Sequence, residues 1–307
     1  MEWILKPVPI AVAVLLSLLL CSCSRREFVY GYGLPALDVR ETGEGLLYEG
    51  GNRDSDAAVV YLDGGFPRSV LGSEEEVFLA VGPSMYWWFL REFGDDWAVA
   101  SPEREGAEPG GAYRYSEGFL LDYTVQNLIP HYAALIDSYL SSRSIDRAVL
   151  VGQSEGALLL PGVYLAMAES ARVEAMVSFY GGGMSPYEYS QVGSDMGPAA
   201  VWRALWNQLE EHSDSIEYVY NGLTYRYWYS WKQYSPLECY RQIDIPVLFI
   251  HGTADTRVPP ESTRVVESSL PQKPFEYWYV DGMGHGDETA DEFTEELANV
   301  RAWIEGL

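Results

Sequence analysis

Three side chains of this 307-residue chain have the types and the spacing that nucleophilic catalysis requires, and the first of them is Ser154. It stands after the apolar run 148–151 and before the helix-like run 157–160, at the centre of the turn Gly152-Gln153-Ser154-Glu155-Gly156. Such a tight turn strains its central residue, and the flanking glycines remove Cβ atoms that would collide with the strand and the helix. The pattern therefore predicts a serine hydroxyl that projects beyond the edge of a sheet.

A serine hydroxyl becomes a nucleophile when a base takes its proton, and that base needs an orienting carboxylate. The apolar run 246–250 predicts a buried strand, and Asp255 follows it in a loop. The run 275–280 predicts the next strand, and His285 follows it in a glycine-rich loop. We expect His285 to be the base and Asp255 to be its acid.

Other residues could fill these two roles. His251 lies beside a strand-end glycine and is interpreted as a packed structural residue, while His131 and His212 are interpreted as surface or satisfied residues of a helix and an insertion. Asp281 is closer to His285 in sequence, but aspartates in turns usually bond their own backbone. Asp255 is therefore preferred.

The order Ser154, Asp255, His285 resembles that of the α/β-hydrolases. The stretch Ser235-Pro236-Leu237-Glu238, which leads into the strand at Pro246, is similar to the serine aminopeptidases and prolyl-oligopeptidase-like members of that family. The resemblance implies a mostly parallel central sheet flanked by helices, and alternation of strands with helices along the chain agrees with it. One such helix is indicated by apolar residues at three- and four-residue steps from Leu121 to Tyr139, kinked or restarted at Pro130.

Acyl transfer also needs two N–H donors for the developing oxyanion. One is the amide of Glu155. The other is expected in the loop after the apolar run 57–62, where the family often carries His-Gly and this chain has Asp63-Gly64-Gly65-Phe66. This departure leaves the donor open between the amides of Gly65 and Phe66, and it brings the carboxylate of Asp63 near the site.

The N-terminus predicts export and a lipid anchor. Fourteen apolar residues from Pro7 to Leu20 follow Lys6, which is short for a membrane span and suitable for the core of a signal peptide. The sequence Leu20-Cys21-Ser22-Cys23 resembles a bacterial lipobox, with cleavage before Cys23 and acylation of that residue. Acylation of Cys21 and an uncleaved anchor helix are the alternatives. The expected location is extracytoplasmic, on the periplasmic or surface face of a bacterial membrane.

We predict four segments: a lipoprotein signal peptide (1–22), a tether (23–33), an α/β-hydrolase core (34–183 and 241–307) and a cap or lid insertion (184–240). The last segment holds 13 Trp and Tyr residues in 57 positions, against 14% aromatic residues overall. Aromatic rings suit the wall of a binding cleft. The alternative is that most of these rings form a small core within the insertion.

The chain carries 45 acidic and 20 basic residues, a net charge of −25, which disfavours nucleic acid as a partner. No zinc-type spacing of Cys and His occurs in the sequence, and neither a metal nor an organic cofactor is implied. We therefore expect a lipid-anchored serine hydrolase for a small molecule or short peptide, with a carboxylic ester as the first choice. An exopeptidase is the alternative, in which insertion carboxylates such as Glu188, Glu210, Glu211 or Glu217 would bind an α-amine, and a noncatalytic ligand-binding lipoprotein is a third. The sequence does not indicate an oligomeric state.

Overall fold

A nine-stranded sheet organises the part of the chain that the computed structural model describes, which is residues 25–28, 37–65, 85–104, 117–192, 198–220, 222–286 and 289–307. The strands are β1 Arg25–Phe28, β2 Leu37–Thr42, β3 Gly45–Gly51, β4 Ala57–Leu62, β5 Ala98–Pro102, β6 Arg147–Gln153, β7 Val173–Phe179, β8 Val219–Tyr220, β9 Leu223–Thr224, β10 Val247–Gly252 and β11 Phe275–Val280. Their spatial order in the nine-stranded sheet is β1-β2-β3-β5-β4-β6-β7-β10-β11, and β8 and β9 form a separate hairpin.

The sheet begins antiparallel and continues parallel. Strands β1, β2, β3 and β5 pair antiparallel, whereas β5, β4, β6, β7, β10 and β11 pair parallel. Every residue of β4 and β10 is buried, as expected for central parallel strands that are covered on both faces. Parallel pairing brings the carboxyl ends of β4, β6, β10 and β11 to one edge of the sheet.

Helices cover both faces of this sheet. The helices are α1 Met85–Phe93, α2 Glu117–Asp122, α3 Val125–Arg143, α4 Glu155–Ala166, α5 Pro186–Val192, α6 Pro198–Glu211, α7 Tyr225–Ser230, α8 Pro236–Tyr240, α9 Glu261–Ser269 and α10 Ala290–Glu305. The first face of the sheet packs against α3, α4 and the aromatic part of the 184–240 segment, and the second packs against α1 and α10. Short 3₁₀ turns occupy Ser170–Arg172 and Trp231–Gln233.

The helix expected from Leu121 to Tyr139 begins later than the periodicity indicates. Leu121 belongs to the short helix α2 and is 40% exposed, so its inclusion in the buried stripe was wrong. Pro130 lies inside α3, which continues through it to Arg143. Pro130 occupies only the second turn of α3, so its missing N–H removes a hydrogen bond near the start of the helix, and the buried face beyond it holds the rest.

Some sequence-based predictions fall outside the described residues, namely the signal peptide (1–22), Cys23 and Phe66. Within the predicted tether, Arg25–Phe28 forms β1 and pairs antiparallel with β2. Between β7 and β10, the described residues of the 184–240 segment contain α5 to α8, the second 3₁₀ turn and the β8–β9 hairpin. In the ranges given above, no helix combines the length and the apolar character needed to cross a membrane.

Candidate active site

The turn between β6 and α4 has the strained geometry expected of a nucleophile turn. Ser154 adopts φ 53° and ψ −113°, in a region that non-glycine residues rarely occupy. A Cβ on Gly152 would lie 2.6 Å from the Gly156 carbonyl oxygen, and a Cβ on Gly156 would lie 2.7 Å from the Asp63 carbonyl oxygen. The two glycines therefore allow strand, loop and helix to approach closely enough to hold Ser154 in this conformation.

A continuous hydrogen-bonded relay runs from Ser154 to Asp255. The Oγ of Ser154 lies 2.9 Å from Nε2 of His285, and Nδ1 of the same imidazole lies 2.6 Å from Oδ2 of Asp255. These residues follow β6, β10 and β11, so the parallel sheet assembles the relay from positions more than 130 residues apart (the Ser154–His285 pair is separated by 131). The structure thus brings together the three side chains that the sequence analysis selected.

The carboxylate of Asp255 is buried and fully engaged. Its Oδ1 accepts hydrogen bonds from the backbone amides of Arg257 (2.8 Å) and Val258 (3.0 Å), which fix the orientation of the group. Burial raises the pKa of Asp255, but hydrogen bonds with His251 and His285 outweigh burial and hold that pKa below its ordinary value. An ionised Asp255 accepts the Nδ1 proton of His285, which leaves Nε2 free to accept the proton of Ser154.

The histidines and the aspartate that were set aside have other partners, although His251 also borders Asp255. His251 is fully buried, with Nε2 2.9 Å from the Val258 carbonyl oxygen and 3.4 Å from Oδ2 of Asp255. His131 contacts the Glu103 carbonyl oxygen, and the ring of His212 stacks on Tyr218. Asp281 accepts a hydrogen bond from Thr253 at 3.2 Å. None of His131, His212 and Asp281 takes part in the relay.

The loop after β4 lies directly beside Ser154. A Cβ added to Gly64 would be 3.4 Å from Cβ of Ser154, and one added to Gly65 would be 3.0 Å from Cβ of Glu155. Glu155 is the first residue of α4, where a helix leaves its backbone N–H groups without intrahelical partners. The geometry therefore places Gly64, Gly65 and Glu155 together beside Ser154.

The carboxylate of Asp63 is paired. It lies 3.7 Å from Nη1 of the buried Arg104, and the Tyr61 hydroxyl lies 2.9 Å from its Oδ1. The same Tyr61 hydroxyl is 2.8 Å from Oε1 of Gln153. Arg104 was not predicted as a residue of the site from the sequence, although its position two residues beyond a buried strand is a signal that could have indicated it.

Tyr180 is a second residue that sequence reasoning missed. It has φ 54° and is fully buried, and its ring centroid lies 5.6 Å from that of His285. A bulky residue with positive φ is a local strain, of about 1–3 kcal/mol, that persists only where its surroundings impose it. No periodicity or composition of the sequence signals such a conformation.

Strand order, nucleophile turn and relay together define the α/β-hydrolase fold, which confirms the predicted fold class. The comparisons agree, since residues 192–307 match the prolyl oligopeptidase family. That match includes Asp255 and His285, and it begins after Ser154. No curated protein matches the chain by sequence.

Three solved structures illustrate the likeness. Est1E from Butyrivibrio proteoclasticus is 15% identical, with 93% of this chain and 100% of that chain covered and a TM-score of 0.56. Acylaminoacyl peptidase from Pyrococcus horikoshii is 16% identical over 95% of this chain, which spans 42% of that protein, with a TM-score of 0.54. A puromycin-hydrolyzing peptidase from Mycobacterium tuberculosis is 15% identical over 90% of this chain and 38% of that one, with a TM-score of 0.55. The chain is an α/β-hydrolase by fold, and esterases and peptidases are both among the proteins it resembles.

Proposed function

We propose that this protein is a serine hydrolase that cleaves a carboxylic ester through an acyl-enzyme on Ser154. The observation that carries the proposal is the unbroken relay Ser154–His285–Asp255, with contacts of 2.9 and 2.6 Å, at a strained strand-to-helix turn. Each contact is within the hydrogen-bond reach that nucleophile, base and orienting acid require.

The geometry supports the following sequence of steps. Nε2 of His285 takes the Ser154 proton as Oγ attacks the ester carbonyl carbon, and the oxyanion accepts hydrogen bonds from the amide of Glu155 and an amide of the Gly65–Phe66 stretch. His285 then gives its proton to the leaving alcohol, which departs and leaves the acyl-enzyme. Water attacks that acyl carbon with His285 as base, and the acid product leaves when Ser154 regains its proton.

A fluorophosphonate probe tests this proposal on the full chain in detergent. We expect the wild-type protein to be labelled and Ser154→Ala to remain unlabelled. Ser178→Ala is the matched control, since Ser178 is buried near the end of the neighbouring strand β7, and it should label like the wild type. An unlabelled, folded wild type would reject the proposal and favour a noncatalytic ligand-binding protein of this fold.

Peptide hydrolysis is the second candidate, favoured by the match of residues 192–307 to the prolyl oligopeptidase family. Two of the four insertion carboxylates suggested as anchors for an α-amine are engaged by other groups. Glu188 accepts a hydrogen bond from the Ser185 amide at 2.7 Å, and Glu210 pairs with Lys232. Turnover of p-nitrophenyl acyl esters without turnover of aminoacyl-arylamides would favour the esterase, and the reverse would favour the peptidase.

The 184–240 segment is proposed as a cap over this site. Its support is that Tyr227 of this segment contacts Glu155, the residue next to the nucleophile. Most of its described Trp and Tyr rings pack into the core that also holds α3 and α4. A minority of the rings would therefore remain to line a cleft.

We further propose that Cys23 carries a lipid anchor that places the enzyme on the periplasmic or surface face of a bacterial membrane. Supporting it are the apolar run from Pro7 to Leu20 and the sequence around Cys23. Metabolic labelling with palmitate should be lost in Cys23→Ala and kept in Cys21→Ala. The opposite result would move the acylation site to Cys21, and no labelling of the wild type would reject the anchor.

A further inference from the structure

A buried group of polar side chains behind Ser154 has no role in the steps above. Arg104 is 2% exposed, and its guanidinium donates to the Gly64 carbonyl oxygen and, through Nε, to the Tyr123 hydroxyl at 3.0 Å. The Tyr123 hydroxyl in turn donates to Oε1 of Glu155 at 2.8 Å. The Tyr227 hydroxyl donates to Oε2 of the same carboxylate. We call these four residues the buried polar network: Arg104, Tyr123, Glu155 and Tyr227.

The direction of the hydrogen bonds is consistent along the whole network. Arg104 has only donors and an ionised Glu155 has only acceptors, and each tyrosine hydroxyl donates toward Glu155. Each oxygen of the carboxylate is thereby held by one tyrosine hydroxyl. Glu155 consequently has a fixed side-chain position, and so does the backbone that carries it.

Burying the carboxylate of Glu155 at this position costs desolvation free energy. Only the backbone amide of Glu155 takes part in the proposed chemistry, and an apolar side chain of similar volume is often neutral or stabilising in place of a buried ion pair. The position of the network explains the choice. Arg104 holds the Gly64 carbonyl, and Gly65 packs on the Glu155 side chain. The network therefore contacts both the loop after β4 and the start of α4, the two elements beside Ser154.

The network also reaches outside the core sheet and its flanking helices. Tyr123 follows α2, whereas Tyr227 belongs to α7 in the 184–240 segment. The rings of these two tyrosines stack with centroids 5.0 Å apart. A displacement of α7 would thus move one of the two hydrogen bonds that hold Glu155.

We propose, on the basis of the function proposed above, that the buried polar network positions the two oxyanion donors relative to each other and couples them to α7. Its members are positioning residues, which act through the amide of Glu155 and the loop at Gly64 and Gly65. The coupling makes the transition-state site complete only when α7 is seated against Glu155. Removal of one oxyanion donor in other serine hydrolases lowers kcat by about 10²–10³-fold, and misplacement of one should lower it by about tenfold.

The test is Tyr227→Phe, which removes one hydroxyl and keeps the ring. Tyr225→Phe is the matched control, because Tyr225 is a buried tyrosine of the same helix whose hydroxyl bonds Gln208 at 3.0 Å, away from Glu155. Both full-length variants are assayed with p-nitrophenyl butyrate, and their affinity for butylboronic acid, which forms a tetrahedral adduct with an active serine, is measured. We expect Tyr227→Phe to lower kcat about tenfold with KM within about twofold, and to weaken boronate binding in parallel. Tyr225→Phe should change neither.

Equal kcat and boronate affinity in Tyr227→Phe and Tyr225→Phe, with a similar fall in Tm, would overturn the inference and leave the network a structural feature. If Tyr227→Phe does not fold, Tyr123→Phe removes the donor to the opposite oxygen and must give the same selective loss of kcat. A wild-type protein that reacts with neither substrate nor fluorophosphonate would overturn the proposed function itself, and this inference with it.

Discussion

Replacing Asp255 by Asn tests whether the relay sets the tautomer of His285. In the structure, Oδ1 of Asp255 accepts two backbone N–H bonds, from Arg257 and Val258, while Oδ2 faces Nδ1 of His285 at 2.6 Å. An Asn side chain must keep its oxygen toward the two amides, because turning its NH₂ group toward them would lose two hydrogen bonds worth about 1 kcal/mol each. Its NH₂ group then faces Nδ1. The imidazole must accept at Nδ1 and carry its proton on Nε2, where it cannot act as a base for Ser154.

The expected loss is about 10⁴-fold in kcat, which corresponds to ~5.5 kcal/mol of transition-state stabilisation. The assay is steady-state hydrolysis of p-nitrophenyl butyrate, with circular dichroism to confirm folding. Asp281→Asn is the control, since in the described part of the chain Asp281 accepts a hydrogen bond from Thr253 and contacts no residue of the relay, and it should keep kcat within about twofold. A folded Asp255→Asn enzyme within tenfold of the wild type would refute the argument that Asp255 fixes the tautomer.

Three further predictions concern stability. Gly156→Ala brings a Cβ within 2.7 Å of a loop carbonyl oxygen and should cost at least ~2 kcal/mol, seen as a lower urea midpoint; an unchanged midpoint would contradict the close packing of this turn. Burial raises the pKa of Glu155 above its ordinary 4.5, so the folded state binds this proton more tightly and stability falls as pH rises from about 4.5 through the raised pKa. The Tm of Glu155→Gln should therefore fall less than that of the wild type as pH rises above about 4.5, and parallel profiles would speak against a buried titrating carboxyl. Glu49 is fully buried and paired with Arg40 at 2.6 Å and Arg143 at 2.7 Å, so Glu49→Ala should cost about 3–5 kcal/mol in urea unfolding with kcat per folded molecule unchanged.

Much of the fold follows from local patterns that need no long-range information. The strand predicted at 275–280 has the predicted bounds in the structure, because short apolar runs between turn residues are typical of strands. The start of α3 was misplaced because Leu121 continues the helical periodicity by chance, while Thr124 adopts an extended backbone that ends the continuity. Periodicity records spacing along the chain and contains no information on backbone breaks between elements.

The candidate site divides in the same way. Ser154, Asp255 and His285 were found because each follows a recognisable strand, and parallel strands must bring their carboxyl ends together. Arg104 and Tyr227 were not found, since their partnership with Glu155 depends on how α2 and α7 pack against the sheet. Contacts between elements that are not neighbours in sequence leave no periodic signal.

The elements that carry the relay differ in how well the sheet holds them. Strand β6, which precedes Ser154, is flanked by β4 and β7, whereas β11, which precedes His285, pairs within the described sheet with β10 alone and is partly exposed along its length. Marginal strands open locally at lower free energy than central ones. His285 therefore follows an edge strand, which opens locally more easily, whereas Ser154 follows a central strand that stays closed longer. Loss of activity in rising denaturant will accordingly report the fraying of one sheet margin before the core of the molecule unfolds.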